Sequence, residues 1–315
     1  MDNFADRLLS AIEKKRSGVI VGLDPRIDRM PAFIITEASS LRSRDESLRF
    51  AISTFHRLVI DAIYDLVPAI KPQSAFYEQY GIPGMLALAD TIEYARGRGL
   101  LVIVDAKRND IGSTAEAYAS AFIGRTMAFG IESVAFNADA VTVNPYLGTE
   151  SLLPFIETCE QYGTGIFVLV KTSNRGSADL QDLPVASGDE KVPMYVVVAK
   201  MVDMLCQRLI GKRGYSSVGA VVGATFPEEA TRLRKLMPNS IFLVPGFGAQ
   251  GGGAEDAARC FDADGMGAIV NSSRSITYEL PTLEISKEDF YTLVRSRVSK
   301  MSKEINSAVA TGIRD

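Results

Sequence analysis

The chain has 315 residues, 47% of them hydrophobic and 23% charged, with a formal net charge of -4. That length allows two domains or one large α/β barrel, the composition is that of a globular protein with a sizeable core, and the acidic balance argues against a nucleic-acid binder. Cys159, Cys206 and Cys260 are widely spaced and make no C-x-x-C pair, so neither a disulfide framework nor a zinc site is expected, and a reducing cytoplasm fits best.

Met1 to Ser17 carries Asp2, Asp6 and Glu13 among its apolar residues and has no long apolar core, which reads as no signal peptide. No segment approaches the roughly 18 to 20 apolar residues of a membrane span. The first β-branched run, Gly18 to Leu23, ends at Asp24-Pro25-Arg26. A long connection, about 25–46, leads to a helix expected over 47–66, and its single histidine, His56, reads as a helix-surface or packed residue. Ala69-Ile70 ends at Lys71-Pro72-Gln73 and precedes a helix over 84–98.

The third run is the most informative: Leu101-Val102-Ile103-Val104 leads straight into Asp105-Ala106-Lys107-Arg108-Asn109-Asp110. Alternation along a strand puts Leu101, Ile103, Asp105 and Lys107 on one side, so an acid and an amine emerge together. Ser113 and Glu116 have capping-box spacing, which starts a helix just after Asp110, here expected to run to about Gly130. Runs at 140–143, 165–170, 217–223, 240–244 and 267–270 follow, each succeeded by a helical pattern, with a Gly/Ser/Asp/Pro-rich extended loop at about 174–192.

Eight strands alternating with helices, and no strong linker, predict a single-domain (β/α)8 TIM barrel. The strand ends carry Asp24, Lys71, Asp105, Lys107, Asn144, Ser173, Gln250 and Arg274, which a barrel gathers on one face, where active sites are built. Glycines 246, 248, 251, 252 and 253 before a helix, with Arg274 after the next strand, suit a phosphate. Lys107 lies among carboxylates that favour its ammonium form, so it suits a proton donor better than a Schiff-base nucleophile. Asn144 equally suits a residue capping its own turn.

D-A-K-R-x-D-I-x-x-T at 105–114 resembles the signature of the orotidine 5'-phosphate decarboxylases, together with Gly22-Leu23-Asp24-Pro25, Ile70-Lys71-Pro72, Thr142 to Gly148, Lys171 to Asn174 and Pro245 to Gly251. The longer loops after strands one and five make it similar to the larger bacterial (type 2) branch. The resemblance implies conversion of orotidine 5'-monophosphate to UMP and carbon dioxide with no metal and no cofactor, in a homodimer with shared active sites. It implies Lys107 as the acid protonating C6, Asp105 as the carboxylate beside the departing one, and Lys71 as the lysine of the charge network. Asp24 corresponds to a ribose ligand, Ser173 to the pyrimidine contact, Ile111 to the base-pocket isoleucine, and Gln250 and Arg274 to the phosphate grip. Asp110, with Thr114 near the same ribose, corresponds to the aspartate supplied by the partner subunit. Arg175 departs from the family's usual proline. Two alternatives stand beside this reading. One is a magnesium-dependent sugar-phosphate decarboxylase or aldolase on a related barrel. The other is a non-catalytic nucleotide-monophosphate binding protein.

Overall fold

The apolar runs are too continuous for a sheet with one wet face and suit parallel strands covered on both sides. In the computed structural model, which describes residues 3–188, 190–248 and 251–312, they form the eight strands of a closed barrel. These are β1 (Val19–Leu23), β2 (Ala69–Pro72), β3 (Leu101–Arg108) and β4 (Ala140–Val143), then β5 (Gly165–Lys171), β6 (Ser216–Val222), β7 (Ser240–Val244) and β8 (Ala268–Ser272). All neighbours are parallel and follow chain order, and β1 closes against β8 with Val19 opposite Val270. Alternation splits the core as expected. Leu101 and Ile103 pack with Ile20, Ala69, Ala140 and Phe167 inside the barrel, whereas Val102 and Val104 join the layer beneath the helices.

The helix Phe4–Lys15 was not expected from the sequence beyond the absence of a leader. Its apolar positions Phe4, Leu8, Leu9 and Ile12 make one face, and that face belongs to the interior cluster, closing the barrel at the end opposite the strand C-termini. Phe4 meets Phe167 edge to face at 5.9 Å. Arg7 fixes the helix to Asp139, a residue 2% exposed, at 2.5 Å, and Arg96 reaches the same carboxylate oxygen at 2.9 Å.

Four local expectations are corrected. The connection at about 25–46 is not an extended loop throughout, because it contains a helix at Ala32–Ser39 and the following helix begins at Arg44. The helix after β3 spans Gly112–Ile123 and stops well before 130. Residues 126–128 and 131–133 instead pair as an antiparallel hairpin, with Phe129 (φ 52°) and Gly130 (φ 76°) turning the chain in the left-handed conformations that tight hairpins use. Ser113 does not cap that helix, because the helix begins at Gly112, two residues earlier than a Ser113 cap requires, and its cap position, Ile111, has no side-chain acceptor. The loop after β5 contains structure of its own: a turn at Arg175–Ser177, a short helix Ala178–Gln181, and strands Pro184–Ser187 and Glu190–Pro193 paired with each other.

His56 is fully buried, with Nδ1 3.0 Å from the Tyr77 hydroxyl, and burial pushes its pKa down to about 3. It is a packed residue and stays neutral at ordinary pH.

Truncating Phe4 empties a ring-sized space against Phe167. Phe4→Ala is expected to cost about 3–5 kcal/mol of unfolding free energy, measured by urea denaturation. A loss below about 1 kcal/mol, the range of surface substitutions, would show that the helix is not part of the core.

Candidate active site

Asp105 follows Ile103 on the inward face of β3, where the barrel interior changes from apolar to polar. Its side chain is 11% exposed, and its oxygens accept from its own strand and from the two neighbouring ones. Oδ2 accepts from Lys71 Nζ at 2.8 Å and from Gln73 Nε2 at 3.0 Å, both from the end of β2. Oδ1 accepts from Lys107 Nζ at 2.6 Å and from Thr142 Oγ1 of β4 at 2.9 Å. Burial by itself raises the pKa of Asp105, but the Lys71 and Lys107 ammoniums outweigh it and hold the carboxyl well below the usual range. The stabilisation this brings is present above the ordinary carboxylate pKa and is lost only as pH falls through the lowered value, far from neutrality. Burial likewise opposes the charge on Lys71, and Asp105 and Asp24 overcome it, raising its pKa.

Lys107 reaches this position through an unusual backbone. The pairing of β3 with β4 shifts register between Val104 and Arg108, and Lys107 sits at φ 48°. A non-glycine residue there costs on the order of 1–2 kcal/mol, and the conformation is held by the Lys107 N–H donating to Thr142 Oγ1 at 2.9 Å. Thr142 therefore fixes both the carboxylate and the backbone of the lysine beside it. Half of the Lys107 side chain remains open to the mouth, at 45% exposure.

A cavity of about 540 Å³ opens above this network. Of the residues expected at the site, Lys71, Asp105, Lys107, Asp24, Ser173 and Arg274 all line it. Ser173 comes close because Gly223 has no side chain: a Cβ there would lie 2.9 Å from the Ser173 Cα. At the far side stand Arg274, Pro245 and Gly246, with positive φ at Gly246, Gly248 and Gly251 turning the loop after β7. Gln250 lies outside the described residues. Burial holds the Asp24 carboxyl above the usual range, with Lys71 pulling the other way, and its Oδ1 is buried without a hydrogen-bond partner among the described residues.

Asp110, Ile111 and Thr114 are not in this cavity. Asp110 is half-buried and accepts from the Ile111 N–H at 2.9 Å, Ile111 is 48% exposed, and Thr114 is exposed. Asn144 accepts from the Tyr146 N–H at 3.0 Å, so it caps its own turn. Gln73 and Thr142 were missed as ligands of Asp105. Strand alternation gave a signal for Gln73, two residues beyond Lys71 and so on the same face.

Fold and site together are those of a (β/α)8-barrel enzyme with its polar centre at the strand C-termini. A model of the orotidine 5'-phosphate decarboxylase / HUMPS family matches residues 19–287, and the chain belongs to this family. It is 46% identical over 309 residues to an orotidine 5'-phosphate decarboxylase of Rhodopirellula baltica, covering 97% of this chain and 99% of the relative. A Caldicellulosiruptor bescii protein of the same name is 44% identical over 311 residues, covering 98% of this chain and all of the relative. Among solved structures, the OMP decarboxylase of Leishmania donovani superposes with a TM-score of 0.70 at 33% identity, covering 98% of this chain and 99% of that one.

Because burial raises the pKa of Asp24, the folded state holds that proton more tightly than the unfolded chain, and ionised Asp24 opposes folding as pH rises through and above the ordinary carboxylate range. Asp24→Asn is therefore expected to melt at a higher temperature than the parent protein at pH 7. The advantage should shrink as pH is lowered below the ordinary carboxylate range. An unchanged or lower melting temperature at pH 7 would contradict this account.

Proposed function

We propose that the cavity binds orotidine 5'-monophosphate with its phosphate toward Arg274 and the loop after β7, and its base toward Ser173 and Lys107. The activity of the chain is orotidine 5'-phosphate decarboxylation, a carboxy-lyase reaction of pyrimidine biosynthesis. The observation that carries the mechanism is the saturated Asp105 carboxylate, which holds two ammoniums at the mouth of one cavity.

The bond from C6 to the substrate carboxylate breaks, carbon dioxide leaves, and the electron pair stays on C6. That carbanion is poorly delocalised by the ring, so a charge held nearby in advance is the main source of stabilisation. The Lys107 ammonium, fixed by Asp105 and by its own backbone, supplies that charge and then transfers a proton from Nζ to C6, giving UMP. Lys71 keeps Asp105 charged and in place. Against the magnesium-dependent alternative, both oxygens of Asp105 are already committed to donors, which leaves Asp24 alone among the described lining carboxylates with an oxygen to offer a cation. The binding-protein alternative leaves the buried charge network and the strained Lys107 without a purpose. Free, buried thiols at Cys159, Cys206 and Cys260 support a cytoplasmic location.

The working unit in this reading is a homodimer. Asp110, Ile111 and Thr114 do not line their own cavity, and the strand ends beside them expose Tyr146 and Leu147 at 73% and 47%. A second copy covering this face would receive Asp110 and Thr114 at its ribose site and Ile111 at its base pocket.

Lys107→Ala is expected to lower turnover at least roughly a thousandfold, followed by the absorbance change of orotidine 5'-monophosphate, with the native fold retained by circular dichroism. Near-normal turnover would remove Lys107 as the acid. Adding EDTA to the parent enzyme should leave its rate unaltered, and inhibition would favour the metal-dependent alternative. Mixing inactive Lys107→Ala and Asp110→Ala chains should restore part of the activity, because hybrid dimers contain one intact site. No recovery after demonstrated subunit exchange would argue against donation of Asp110 across subunits.

A further inference from the structure

Ser177 takes no part in the mechanism above, yet its surroundings are those of a ligand contact. It is 3% exposed, it lines the active-site cavity, and its Oγ is buried with no hydrogen-bond partner among the described residues. A buried hydroxyl without a partner is unfavourable unless something else supplies one when the site is filled.

The segment that carries Ser177 is fastened to the end of β5 on both sides. Lys171, the last residue of that strand, is fully buried, is ion-paired with Asp182, and lies 4.3 Å from the centre of the Phe226 ring. Gln181 spends its whole amide on the next residue: Oε1 accepts from the Thr172 N–H at 3.0 Å, and Nε2 donates to Thr172 Oγ1 at 2.8 Å. Thr172 Oγ1 in turn donates to Asn174 Oδ1 at 2.7 Å, and the Ser177 N–H donates to the Asn174 carbonyl at 3.0 Å. Ser173 sits inside this clamp and lines the same cavity. The two serines are thus presented together by one braced loop, and a hydroxyl can donate to a ring carbonyl or accept from a ring N–H.

We propose that the Ser177 hydroxyl is a second hydrogen-bonding contact to the polar edge of the pyrimidine ring, alongside Ser173, with Gln181 and the Lys171–Asp182 pair as its positioning residues. The proposal rests on the reading that the base lies beside Ser173. A contact of this kind selects for the base and is indifferent to the sugar phosphate.

The test compares binding of UMP and of ribose 5-phosphate, which lacks the base, to the full-length parent protein and to Ser177→Ala, by calorimetry. The expected result is UMP binding weakened about tenfold with ribose 5-phosphate binding unchanged, and a similar fall in kcat/KM for orotidine 5'-monophosphate. Equal weakening for both ligands would make Ser177 a structural residue and overturn the proposal, as would no change for either. Ser177→Thr keeps the hydroxyl and should hold UMP affinity within about threefold of the parent; a loss as large as that of alanine overturns the proposal even if the alanine variant folds poorly. Gln181→Ala should weaken UMP selectively, and Gln181→Glu, which retains the acceptor for the Thr172 N–H, should recover part of it. If the parent protein binds ribose 5-phosphate but neither binds UMP nor turns over orotidine 5'-monophosphate, the reading of the cavity itself fails, and the role of Ser177 with it.

Discussion

A carboxylate taken out of water must have every lone pair answered, and at Asp105 this requirement organises the mouth of the barrel. Two ammoniums, one amide and one hydroxyl meet on it, drawn from the ends of β2, β3 and β4. Desolvation works against the charge, and the lysines reverse the balance. With Asp24 and Arg274 on the same lining, the charged side chains among its described residues are three positive and two negative, a net positive charge toward the cavity. A site of this sign accepts an anionic substrate and opposes any step that would leave it more positive.

The same requirement accounts for the odd geometry of Lys107. A regular strand would carry residue 107 onward in register with β4, but the register shift and the left-handed backbone turn the chain so that Nζ returns to the carboxylate two residues behind it. Thr142 makes that conformation tolerable by accepting the Lys107 N–H while donating to Asp105. One small side chain thus couples the strain in the backbone to the charge it serves. Loss of either bond would release the other, so the lysine is positioned by the sheet as much as by its ion pair.

Much of this was legible in the order of residues. Period-two alternation from Leu101 to Lys107 placed Asp105 and Lys107 inward without any structural information, and the rule that barrel strand ends converge brought Lys71, Ser173 and Arg274 to the same mouth. What sequence could not supply was long-range partnership. Gln73 and Thr142 are ordinary residues whose importance comes only from facing Asp105 across strand boundaries 32 and 37 residues away. The helix closing the opposite end was overlooked because its apolar face is short and its charges were read only as evidence against a leader. The hairpin at 126–133 was read as helix because a three-residue strand is too brief to establish alternation, and the tight turn at Phe129-Gly130 was not recognised as the break.

The proposed division of labour along 105–114 has a physical basis. Through Asp105 the chain follows the strand, with Leu101, Ile103 and Asp105 inward, and at Lys107 the left-handed backbone turns Nζ back to that carboxylate. By Asp110 it has left the sheet, and Ile111 and Thr114 are exposed and do not line the cavity. A large apolar side chain held nearly half exposed gains nothing for an isolated barrel, and a half-buried aspartate bound only to the adjacent N–H has acceptor capacity to spare. Both features acquire a use if this face meets a second copy, whose Asp24 carboxylate and Ser173 would then be closed over by residues their own barrel cannot supply. On that reading the separation between the inward and outward halves of the segment is what ties catalysis to assembly. On the same reading, a monomer would retain the Lys71, Asp105 and Lys107 network intact and lack one wall of its substrate site.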